Sequence, residues 1–133
     1  MLKALLLIEF SLAYFLPAIF LGCGIVFGIF LLVPALLEQQ YLLSLGFTLM
    51  VMGGSVGLLA SIQLLCKCLE PDLIIGPPRR LFFYVIAGIL SLIGAALVAA
   101  LTLPDFAMYA MLLPIPVSIH LVYLNREYFW PGH

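Results

Sequence analysis

Four stretches without a single charged side chain divide this chain: 28 residues from Phe10 to Leu37, 28 from Gln39 to Cys66, 24 from Leu81 to Pro104 and 20 from Phe106 to Asn125. A helix needs about 20 residues to cross the hydrocarbon core of a bilayer, so each stretch is long enough. With 66% hydrophobic and 8% charged residues among 133, the chain has more apolar surface than a water-soluble globule of its size can bury, and lipid must solvate most of it. The runs are apolar at successive positions instead of alternating, which argues against a membrane barrel and for a helical bundle. The predicted fold is an all-α membrane protein, one transmembrane domain of four helices at roughly 8–33, 41–65, 81–103 and 106–124, with a loop at roughly 66–80.

In that arrangement Lys3, Lys67, Arg79, Arg80 and Arg126 all fall on one side, while the short connections on the other side carry Glu38 and Asp105 and no basic residue. The positive-inside rule then puts both termini in the cytoplasm, with a bacterial inner (cell) membrane as the expected location. No basic stretch is long enough to suggest nucleic-acid binding. Residues Met1 to Cys23 need checking as a signal peptide, because Leu21-Gly22-Cys23 loosely resembles a lipoprotein cleavage site. The apolar run continues to Leu37 without a polar break and Phe20 stands where such sites usually hold Leu, so an uncleaved first span is the reading adopted.

Prolines mark the expected bends. Pro17 removes the hydrogen bond to the Ala13 carbonyl in the first span, Pro34 is expected to end that span, and Pro114 and Pro116 free the carbonyls of Ala110 and Leu112 in the fourth. Pro71, Gly76, Pro77 and Pro78 forbid continuous helix in the loop, where Leu73, Ile74 and Ile75 are suited to the interface or to a partner. A tight turn from Thr102 to Phe106 makes the last two spans an antiparallel hairpin. The tail from Asn125 to Trp130, aromatic and charged, suits the headgroup region. Small residues four apart share a helix face: Gly24 and Gly28, Gly53 and Gly57, and Ser91, Ala95 and Ala99. These faces are expected to pack helix against helix.

Polar groups inside hydrocarbon are costly, so Glu9, Gln63, Tyr84 and His120 are the candidate site residues, one from each span. Each lies four to six positions from a basic residue of the cytoplasmic side, which places all four in one inner-leaflet layer, roughly 6 to 9 Å deep at 1.5 Å per residue. Two readings follow. In one, Glu9 and His120 line a vestibule that binds a cation or relays a proton; in the other, the layer is structural glue between helices.

Cys66-Lys67-Cys68 has the wrong spacing for a redox pair and lacks the second ligand pair of a zinc site, so free thiols are expected. A haem would need a second axial ligand beside His120. No cofactor or metal is expected, and no nucleophile with an adjacent base supports an enzyme. Four spans with a carboxylate in the first give a layout similar to that of small multidrug exporters, yet the local sequence around Glu9 lacks that family's pattern and the basic residues fix a single orientation. The favoured function is a non-enzymatic membrane subunit or binding protein, of accessory, regulatory or immunity type. It would act in the lipid bilayer on another membrane protein or as a homo-oligomer. The alternative is a small oligomeric transporter or channel using Glu9 and His120.

Overall fold

The structure, a computed structural model, describes residues 2–38, 40–102 and 105–130. They form α1 (Leu2–Leu37), α2 (Tyr41–Leu69), α3 (Pro78–Thr102), α4 (Asp105–Leu112), α5 (Pro114–Leu124) and α6 (Arg126–Phe129), with no strand among them. Four helical segments are long and apolar enough to cross a membrane: Lys3–Val26, Tyr41–Leu69, Pro78–Leu101 and Phe106–Leu124. The last of these is α4 and α5 taken together.

Several boundaries differ from the sequence expectation. Helix α1 contains both Pro17 and Pro34 and does not stop at the second. A proline removes only the bond its own nitrogen would make; its carbonyl still accepts, and that of Pro34 takes the Glu38 N–H at 2.9 Å. At 36 residues α1 is about 54 Å long, well beyond what a bilayer core requires. Helix α2 runs through Cys66-Lys67-Cys68 to Leu69, so the loop comprises only residues 70–77. Its stop is Glu70, with extended backbone at φ −128°, because the residue before a proline is pushed out of the helical region. The fourth span is interrupted at Leu113, with Pro114 opening α5 where a missing N–H does no harm. Leu103 and Pro104, within the expected Thr102–Phe106 turn, and Gln39 lie outside the described residues.

The helices meet through their small residues, and α2 stands at the centre. A Cβ on Gly57 would sit 2.3 Å from the Gly88 Cα, and one on Gly88 would sit 2.7 Å from the Gly57 Cα, so the α2 and α3 backbones touch. One turn away, a Cβ on Gly53 would come within 3.1 Å of the Ala87 carbonyl oxygen and 3.3 Å of the Ser91 Cβ. On the other flank, Gly24 and Gly28 of α1 receive the Phe47 ring of α2. Ala99 is buried and Ala95 partly so. Gly88 was not among the residues expected at this contact, since it lies outside the spacing of four that links Ser91, Ala95 and Ala99.

The largest buried cluster gathers Leu6, Tyr14, Leu64, Leu81, Val85, Val117 and Leu121 among others. Ala96, Ala99, Ala107 and Met111 are buried nearer the other end, while this cluster gathers towards the end that carries Lys3, Lys67, Arg79, Arg80 and Arg126. There Lys3 donates to the Leu69 carbonyl at 2.6 Å, closing the C-terminus of α2 with a cation where the helix dipole favours one. Lys67 holds the loop through the Pro71 and Leu73 carbonyls at 2.9 and 3.0 Å. Ile75 of the loop packs inward, whereas Ile74 is 96% exposed. Phe82 of α3 receives the rings of Phe129 and Trp130 edge-on, docking α6.

Even a methyl group on Gly57 has no room. Gly57→Ala should destabilise the bundle by about 3 kcal/mol, at the upper end of overpacking effects, while Gly22→Ala, where nothing lies within 4 Å of the added carbon, should change little. Thermal unfolding of both variants in detergent measures the difference.

Candidate functional site: a hydroxyl node beside an interhelical cavity

The polar groups that converge deepest in the bundle are not those the sequence singled out. Tyr14 of α1 places its hydroxyl 2.8 Å from Ser61 Oγ of α2 and 2.5 Å from Ser118 Oγ of α5. All three residues are buried. Three helices are thereby tied at one point, and Phe10 stacks on the Tyr14 ring at 4.4 Å to hold its orientation. Nothing in the local sequence marks these residues: serine is common in membrane helices, and Tyr14 lies in an otherwise apolar run. The pairing depends on helices 47 and 104 residues apart in sequence.

A second polar anchor is Asn125, where α5 ends. Its Nδ2 donates to the Leu121 carbonyl at 2.9 Å and the Leu64 carbonyl at 3.2 Å, and lies 3.0 Å from Cys68 Sγ. Asn125 was grouped with an interfacial tail; it is instead buried and fastens α5 to α2. The tail's Tyr128 donates to the Gly76 carbonyl. Desolvation pushes its phenol above the ordinary value, keeping it a donor.

Of the four expected site residues, Glu9 and His120 do come together, with Glu9 Oε1 3.3 Å from His120 Nδ1. The contact links α1 to α5 and becomes an ion pair when the imidazole is protonated. Both side chains remain substantially exposed, at 38% and 43%. Gln63 is exposed and its Oε1 lies near Gly76, while Tyr84 is exposed on α3. Among the described residues no hydrogen bond joins Gln63 or Tyr84 to the pair.

Beside the hydroxyl node, α1, α2 and α3 border a partly open cavity of 340 Å³, completed by Met111 and Ser118. Its walls include Leu21, Val51 and Leu92, with Pro17 on the α1 side. Tyr14, Ser61 and Ser118 all border it; Glu9, Gln63, Tyr84 and His120 do not. Among the described residues no three His, Cys, Asp or Glu side chains are placed to share a metal.

Tyr14→Phe removes two buried hydrogen bonds and should lower stability by about 1–2 kcal/mol. Tyr84→Phe, at an exposed position, should stay within about 0.5 kcal/mol of the native chain; chemical unfolding in mixed micelles compares the two. No protein-family model, curated protein or solved structure matches the chain.

Proposed function

We propose that the chain is a non-enzymatic integral membrane protein of the subunit or binding class. It acts on another membrane protein through helix contacts within the bilayer, in an accessory, regulatory or immunity-type role. Both termini face the cytoplasm, and the membrane is a bacterial inner membrane. One observation supports this reading above the rest: most of the hydroxyl and amide side chains buried or partly buried in the spans bond within the chain itself, the buried Ser44 hydroxyl being an exception. Tyr14, Ser61 and Ser118 bind one another, Asn125 holds α2, and Ser91 Oγ reaches the Met50 carbonyl. Thr48 and Ser55 return their hydroxyls to the carbonyls of Ser44 and Val51. The Glu9–His120 pair is not among the residues that border the cavity.

What such a chain offers a partner is its outward helix faces, which are apolar over long stretches of α1 and α2, as at Ile25, Val26, Phe30, Leu42, Leu45 and Leu49. Recognition between helices in lipid rests on close packing, and small residues permit it. Gly22 and Gly46 are exposed, and an added Cβ at either would meet nothing. They are notches that the bundle itself does not fill.

Two outcomes are expected. Gly22→Leu and Gly46→Leu should leave the unfolding midpoint of the isolated chain essentially unchanged while weakening stoichiometric co-purification of the partner from mild detergent; unchanged co-purification would remove these faces from the proposal. A cytoplasm-dependent reporter fused after residue 133 should be active and one inserted at Gln39 silent, and the opposite pattern would reverse the orientation.

A further inference from the structure

Three hydroxyls at the node carry three protons, and the two hydrogen bonds among them use two. Whichever way the chain of donors runs, one proton remains. Three hydroxyls elsewhere turn to the backbone, Thr48 to Ser44, Ser55 to Val51 and Ser91 to Met50, while the buried Ser44 hydroxyl, away from the cavity, has no partner among the described residues. Among the described residues Ser61 and Ser118 make no such bond, and Tyr14 has no further acceptor. A donor left unmatched in a water-poor site is unfavourable, and an acceptor that reaches it is favoured. All three side chains are more than nine-tenths buried in the bundle, and all three border the 340 Å³ cavity.

The cavity limits what can supply the missing acceptor. No charged residue lines it, so a carboxylate or phosphate would enter without a counter-charge, at a large desolvation cost. Apart from Cys23 and Ser91, whose hydroxyl is taken up by the Met50 carbonyl, its remaining walls are apolar and suited to an alkyl or isoprenoid chain. A partner helix about 10 Å wide does not fit so small a volume, whereas it falls at the lower end of the range for small-molecule pockets, about 300–1,000 Å³. Ser61 lies six residues from Lys67 and Ser118 eight from Arg126, so the node is roughly 9–12 Å inside the basic rim. That is too deep for a zwitterionic or anionic headgroup to reach without leaving the interface.

We propose that this cavity binds an uncharged long-chain lipid, whose single hydroxyl or carbonyl oxygen accepts the remaining hydrogen bond from the Tyr14–Ser61–Ser118 node while its chain lies between α1, α2 and α3. The site is independent of the partner contact proposed above, since Gly22 and Gly46 do not line it.

The full chain in phosphatidylcholine nanodiscs is irradiated with hexadecanol carrying a mid-chain diazirine, and adducts are mapped by peptide mass spectrometry. Adducts are expected on cavity residues such as Met50, Leu92 and Met111. Unlabelled hexadecanol should suppress them at least about tenfold more effectively than hexadecane or palmitate, the size of one hydrogen bond or more in a water-poor site. Ala95→Leu, which fills the cavity away from the node, should abolish the adducts without changing the unfolding midpoint. Adducts spread equally over the lipid-facing Leu12, Phe15 and Leu90 in both proteins would overturn the proposal, as would hexadecane or palmitate competing as well as the alcohol. The competition series uses the native chain and decides the matter if Ala95→Leu does not fold.

Discussion

The contact between Gly57 and Gly88 is the constraint on which the bundle's geometry depends. With α2 and α3 backbones touching there, side chains one turn away are brought into register: Gly53 against Ala87 and Ser91, and Ser91 against the Met50 carbonyl. Lipid provides no hydrophobic drive for helices to associate, so dispersion over such a close approach, together with the polar bonds it permits, must hold the pair. Helix α1 joins the same centre from the other side, with its glycines taking the Phe47 ring.

From this pairing follows a polarity along the bundle. At the basic end, side chains interdigitate, the loop is pinned by Lys67 and Tyr128, and Lys3 holds the end of α2. Beyond it, a cavity lies among α1, α2 and α3, with the touching Gly57 and Gly88 in its wall. The hydroxyl node sits at the boundary between these two regimes, where it fastens three helices and also faces open space. One group of residues thus contributes to stability and offers the cavity its hydrogen-bonding groups.

Several polar residues changed meaning once the helices were placed. Glu9 and His120 are the residues a sequence reading selects, because an ionisable group in a hydrophobic run stands out, and they do pair. Their contact links α1 to α5, and both side chains are substantially exposed. Tyr14, Ser61, Ser118 and Asn125 went unselected because each is unremarkable alone; only their convergence gives them significance. Cys68, expected in a loop, lies within α2; it is a free thiol, as expected, and is contacted by the Asn125 amide.

The number of spans and their helical character were legible in the sequence, because hydrocarbon admits only long apolar helices of a set minimum length and the charged residues punctuate them. Faces of small residues were legible too, since helical periodicity alone puts residues four apart on one side. Which faces meet was not, because Gly24, Gly53 and Gly57 look alike in sequence, and Gly88 escaped a search based on spacing of four. Helix ends shifted for a local reason: a proline interrupts one hydrogen bond, and whether a helix continues past it depends on what lies around it, as at Pro34. Only the tertiary structure could decide the hydroxyl node and the cavity, since both arise from distances between helices far apart in the chain, and no property of a single helix encodes them.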